Sequence, residues 1–204
     1  MIPERAVIHR YGDPLDVIWT QAAGQIGMHL SRDSEVFAAW SGAGADGTGI
    51  LRIGTVDTLD PDDSLAQMIF HEMCHGLIEG PAAFSLADWG LDITDRGQLV
   101  HEHAALRLQC ALAAPHGLRQ FFASTTAARG FYDSLPTDPL LIDDSPDPTA
   151  VPRDIQMARC GFQRATQGPW AEMLRNVLTR TAMIVALVSQ VCTDDSLYAC
   201  YRQP

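Results

Sequence analysis

Two histidines four residues apart, with a glutamate directly after the first, make the run His71-Glu72-Met73-Cys74-His75. On a helix, positions four apart lie one turn apart on the same face, so both imidazoles reach a single ion. Glu72 is then placed to take a proton from a metal-bound water, which is the arrangement a water-activating zinc site needs. Cys74 lies between the histidines in sequence but is rotated off their face, and it reads as a small core residue rather than a ligand. With only three fixed positions the pattern also arises by chance, so the element that carries it must decide.

That element reads as a helix. Asp60 is a candidate cap, Pro61 suits a first turn, and Asp62 and Asp63 sit where the helix dipole favours acids. Leu65, Met68, His71, His75 and Ile78 recur at helical spacing, and Gly80-Pro81 supplies a stop. The expectation is a capped helix of about five turns. The competing reading, a helix whose histidines are merely surface or satisfied core residues, is weaker because caps, period and motif agree.

A catalytic zinc takes three protein ligands and keeps one position open. The positions where metzincins carry a third histidine are Ile78 and Pro81 in this chain, so the third ligand must come from a later element. The run Gln98 to Ala113, free of Gly and Pro, reads as an amphipathic helix. Glu102 falls on its apolar stripe of Leu99, Leu106 and Ala113. His103 lies beside that stripe with Cys110, and His101 points nearer Arg107 and Leu108. An unpaired carboxylate is costly to bury, which favours Glu102 as the ligand, with His103 and His101 as alternatives.

On these residues the chain resembles the zincins, and among them the gluzincins, which pair HExxH with a glutamate on a following helix. Here Glu102 comes 27 positions after His75. The preceding segment is similar too. Leu15 to Leu30 reads as a helix, and Glu35 to Trp40 and Gly49 to Val56 read as strands joined by the glycine-rich SGAGADGTG. The resemblance implies zinc held by His71, His75 and Glu102, and Glu72 as general base. It also implies a peptide paired to the strand nearest the metal helix, with Ile50 to Val56 as that edge, and an oxyanion donor among Tyr132, His116 and Tyr198. A recognisable Asn-Glu signature around Glu102 is missing. A second resemblance is to the elongation factor P hydroxylases, through HExxH followed by Ile78-Glu79-Gly80 and Asp88-Trp89-Gly90. It implies iron on the same ligands and oxidation of a lysine on a protein.

The composition bounds the partners. The 204 residues suffice for one core-forming domain, and 47% apolar with 19% charged content is that of a globular protein. Net charge is −11, carried by residues 1–152 with 8 Arg against 21 acids, whereas residues 153–204 hold 6 Arg against 4 acids. The metal-binding half would repel nucleic acid and anionic membranes and attract a basic peptide or protein, unless the acidity only keeps the chain soluble. Lysine is absent, which we read as codon bias. No apolar signal region opens the chain, no apolar run is long enough to span a bilayer, and five cysteines without CxxC spacing suit a reduced cytoplasmic setting, although Cys192 and Cys200 are near enough in sequence to pair.

The expected fold class is α+β: a mostly helical zincin-like core with a small β-sheet, over residues 1–133, followed by a C-terminal helical segment. Residues 134–153 hold five prolines and four aspartates and read as a loop, a candidate lid. Residues 154–204 return to helix, over Asp154 to Thr166 and Trp170 to Val191, packed on the same domain. A shorter helix is expected over Arg119 to Tyr132. Trp89, in the acidic connection between the two metal helices, either lines a subsite or plugs the core. Three readings remain: a zinc peptidase, an iron-dependent protein hydroxylase, and a zincin-like module that binds protein without catalysis. Glu72 argues against the last, because a structural zinc needs no general base.

Overall fold

A computed structural model describes residues 11–92, 96–125, 128–141 and 151–202. It is mostly helical with one small sheet, an α+β fold. The chain opens with α1 (Pro14–Gln25), whose first turn is capped by the Asp13 carboxylate. Three short strands follow, β1 (Met28–Arg32), β2 (Ala38–Trp40) and β3 (Gly49–Ile53), then the central helix α2 (Leu65–Glu79). Among the described residues, three 3-10 turns then lead to α3 (Leu99–Ala113), followed by the short α4 (Arg129–Ser134), α5 (Arg153–Ala165) and the long α6 (Gly168–Ser189).

The sheet has the order β1-β3-β2, with β1 parallel and β2 antiparallel to β3. This corrects two expectations. The helix drawn through Leu30 ends at Gln25: Gly27 stands at φ +81°, and Met28 to Arg32 pair with Gly49 to Ile53 as a strand. The segment beginning at Ile50 is not an edge, because β3 is the central strand; the edges are β1 and β2, and β2 is the one whose residues Ala38 and Ala39 line the cleft described below.

Ser64, not Asp60, caps α2, in a reciprocal capping box with Gln67, and four turns form rather than five. Both readings used the same cluster of turn-forming residues; the Ser-x-x-Gln spacing decides. Gly80, at φ +86°, ends the helix as its spacing predicted. Within α2 every residue except His71 and Glu79 is buried. The helix is therefore the centre of the core, contacted by α1, α3 and α5. From α5, Arg164 donates to the carbonyl oxygens of Leu77 and Ile78, two of the last acceptors of α2. Gly161 makes that approach possible, since a Cβ there would come within 2.8 Å of Leu108 and 3.0 Å of Ile78. α6 closes the other side, where Trp19 of α1 donates its indole N–H to Thr181 at 2.9 Å.

Two smaller expectations change. Among the described residues from Arg119 to Ser134, the α-helix is Arg129–Ser134. Cys192 and Cys200 are free thiols. Of the expected loop, residues 134–141 and 151–153 line no part of the cleft described below, and residues 142–150 lie outside the described residues. Among the described residues, no helix is long and apolar enough to cross a membrane.

Candidate metal centre

His71 and His75 project from one face of α2, and Glu102 comes from the first turn of α3 packed against it. Their ligand atoms converge. His75 Nε2 stands 3.1 Å from His71 Nε2 and 3.2 Å from Glu102 Oε2, and His71 Nε2 is 3.4 Å from the same oxygen. An ion at the centre of a tetrahedron, with bonds of about 2.0–2.1 Å, separates its ligands by about 3.3–3.4 Å. The three observed edges, 3.1 to 3.4 Å, lie at or slightly below that spacing. Among the described residues this is the one place where three or more such side chains converge.

The tautomer of His71 is set from behind. Gln109, two turns past Glu102 on α3, gives its amide N–H to the carbonyl of Phe122, which turns Gln109 Oε1 toward His71. His71 Nδ1 is therefore the donor in the 2.9 Å contact to Gln109, and in the neutral ring it is Nε2 that presents its lone pair to the cluster. His75 has no such support, since its Nδ1 is buried without a hydrogen-bond partner. Burial works against a charge on His71, but Glu102 outweighs it, helped by Glu72 and Gln109, and the imidazole pKa rises to about 9. Burial would equally raise the Glu102 carboxyl, yet the two histidines hold it far below the usual carboxylate range. The cluster thus favours positive charge, which a divalent cation would supply in place of the proton.

The neighbouring candidates on α3 are engaged elsewhere. His103 stacks on Phe131 with ring centres 3.7 Å apart. His101 pairs with Glu79 at 2.5 Å. None of the three expected oxyanion donors lines the cleft: Tyr132 is buried with its hydroxyl donated to the Arg119 carbonyl, Tyr198 packs on Phe121, and His116 borders a separate hollow.

The cluster sits in a cleft of about 1040 Å³ between α2, α3 and β2. Among the described residues, Glu35, Asp63, Glu72, Asp88, Asp92 and Glu102 line it together with one arginine, Arg52. Along one wall, Ser41 N bonds Ile50 O and Gly54 N bonds Phe37 O, so the odd-numbered backbone groups of this segment face β3. Those of Ala38 and Trp40 face outward, and Trp40 N is already taken by Asp88 at 2.9 Å.

Glu72 accepts the indole N–H of Trp89 at 2.9 Å. No signal in the sequence pairs these two. Trp89 is buried, so it plugs the connection, but its polar edge reaches the cleft wall. Asp88 and Trp89 both have positive φ, 46° and 60°, a strained conformation for non-glycine residues that costs about 1–3 kcal/mol each. No family model, curated protein or solved structure matches this chain. The functional reading therefore rests on the site alone.

Proposed function

We propose that the protein is a metal-dependent hydrolase, with zinc as the expected ion, and that it cleaves a peptide or protein. The observation that carries this reading is the convergence of His71, His75 and Glu102 within 3.1–3.4 Å beside the buried carboxylate of Glu72. When bound, a divalent ion supplies Lewis-acid character, polarising a carbonyl and acidifying water in its open position. Glu72 accepts the proton of the attacking water and returns it to the leaving amine. Ala38 offers its outward backbone groups to an extended chain, in the manner of an added strand. The acidic lining favours a segment carrying Arg or Lys.

A second reading, an iron-dependent protein hydroxylase, is favoured by the donor set itself. Two histidines and one carboxylate form the facial triad of oxygen-activating iron enzymes, and octahedral bonds of about 2.1–2.2 Å would space ligands by about 3.0–3.1 Å, near the shortest observed edge.

The test uses stripped protein reloaded separately with zinc and with iron(II), incubated with peptide pools and basic proteins. Zinc-dependent backbone cleavage under argon is expected, with Glu72→Gln retaining zinc and losing turnover. Product that gains an oxygen atom only with iron and air would replace the first reading by the second.

A further inference from the structure

We infer that Trp89 is a positioning residue for Glu72, its indole fixing the carboxylate and making Oε1 the more basic oxygen for the working proton. The inference rests on the hydrolytic reading of the site. Among the described residues, Trp89 is the hydrogen-bond partner of Glu72, through Nε1–H to Oε2 at 2.9 Å. An indole N–H only donates. Accepting that bond fixes the plane of the carboxylate and draws electron density at Oε2, so that Oε1 is left the more basic oxygen for the proton taken during turnover.

The indole is held so firmly that the direction of this donor is fixed by its surroundings. Its ring stacks on Trp40 with centres 5.1 Å apart and planes 8° from parallel, and it meets Phe84 edge-on at 5.2 Å. Its six-membered ring lies against Gly76, where an added Cβ would come within 2.9 Å of Cζ3. Gly76 follows Glu72 by four residues, on the same helix face one turn on. The missing side chain opens the slot through which the indole reaches the carboxylate. Trp40 differs in kind: its own Nε1–H goes to the Phe84 carbonyl, a neutral structural partner, whereas Trp89 spends its donor on a charged group at the cleft wall.

The same turn ties this donor to β2. Asp88 accepts from Trp40 N at 2.9 Å, so the residue before Trp89 fastens the edge strand while Trp89 fastens Glu72. The strand offered to substrate and the proton acceptor are thereby held in one frame by two successive residues.

The experiment compares zinc-loaded wild type, Trp89→Phe and Glu72→Ala. Phenylalanine keeps a stacking ring and removes only the donor. In ¹⁵N–¹H spectra the indole signal that disappears in Trp89→Phe identifies Trp89; in Glu72→Ala that signal should move upfield as its acceptor is lost. Trp89→Phe should bind zinc within about threefold of wild type and, on a fluorogenic peptide pool, lose about 10- to 100-fold in kcat at unchanged KM, the scale of a misplaced catalytic group. A Trp89→Phe protein with wild-type kcat, or an indole signal unmoved in Glu72→Ala, would overturn the inference. Wild type that binds zinc and cleaves nothing would overturn the hydrolytic reading instead. The indole signal, which needs no substrate, then judges the Trp89–Glu72 bond separately.

Discussion

α2 and α3 are bridged twice by histidine and carboxylate, and the two bridges differ in what they are fit to do. In the cleft, Glu102 of α3 meets His75 at 3.2 Å and His71 at 3.4 Å. One turn further along α2 the polarity reverses, and Glu79 meets His101 of α3 at 2.5 Å. The residue types are the same. The first bridge brings three ligand atoms onto one point, with Gln109 fixing a tautomer behind them. The second has two partners, and neither joins the converging group. A site is thus distinguished from a salt bridge by convergence and by the support behind each ligand, not by composition.

Substitutions at the two bridges test this contrast. The largest effect is expected from His75→Ala, which should reduce zinc binding below detection by calorimetry or metal analysis. Glu102→Ala should follow, weakening zinc affinity by at least about 100-fold; a crystal structure with His101 or His103 coordinated instead would erase the contrast. Gln109→Ala leaves the ligands in place but frees the His71 ring, and a loss of about 10- to 100-fold in affinity is expected, as for other groups that orient a ligand.

The pH dependence sharpens the contrast. His71 carries a raised pKa of about 9 beside Glu102, so the apoprotein should hold the full stabilisation from its imidazolium below about pH 6.5 and lose it as pH rises toward 9. Metal loading displaces that proton, so calorimetry near pH 7 in buffers of different ionisation enthalpy should register proton release. Thermal melts of apoprotein that are flat from pH 6.5 to 9 would refute the charge assignment. The smallest effect belongs to the second bridge. His101→Gln should change zinc affinity by less than about threefold and cost at most about 1–2 kcal/mol of stability in denaturant titrations, because its contact with Glu79 is structural.

Much of the cleft was legible because helical spacing is a strong local signal. His71 and His75 had to share a face, and Glu102 had to lie on the inner stripe of the next helix. The stop at Gly80 and the β2–β3 hairpin were legible for the same reason. What was missed depends on contacts distant in sequence. Met28 to Arg32 is a strand because Gly49 to Ile53 lies beside it, and its apolar residues alone fit either element. Which strands form the edges is a matter of order within the sheet, and no local pattern encodes it. Gln109 read as one more polar position on a helix, and its role appears only once Phe122 and His71 flank it. Trp89 is similar: burial was the safer expectation for a tryptophan, yet the atom that counts is its one polar edge.

The guanidinium of Arg164 on the last carbonyls of α2 has a consequence for the order of assembly. The helix that carries both histidines receives its final hydrogen bonds from a residue 87 positions further along the chain. During synthesis, α2 and the sheet emerge long before α5, and until then the end of α2 is open to solvent. The ligands are therefore encoded early but set rigidly late, and the arrival of α5 separates a chain that contains the metal-binding residues from one that can hold them in register.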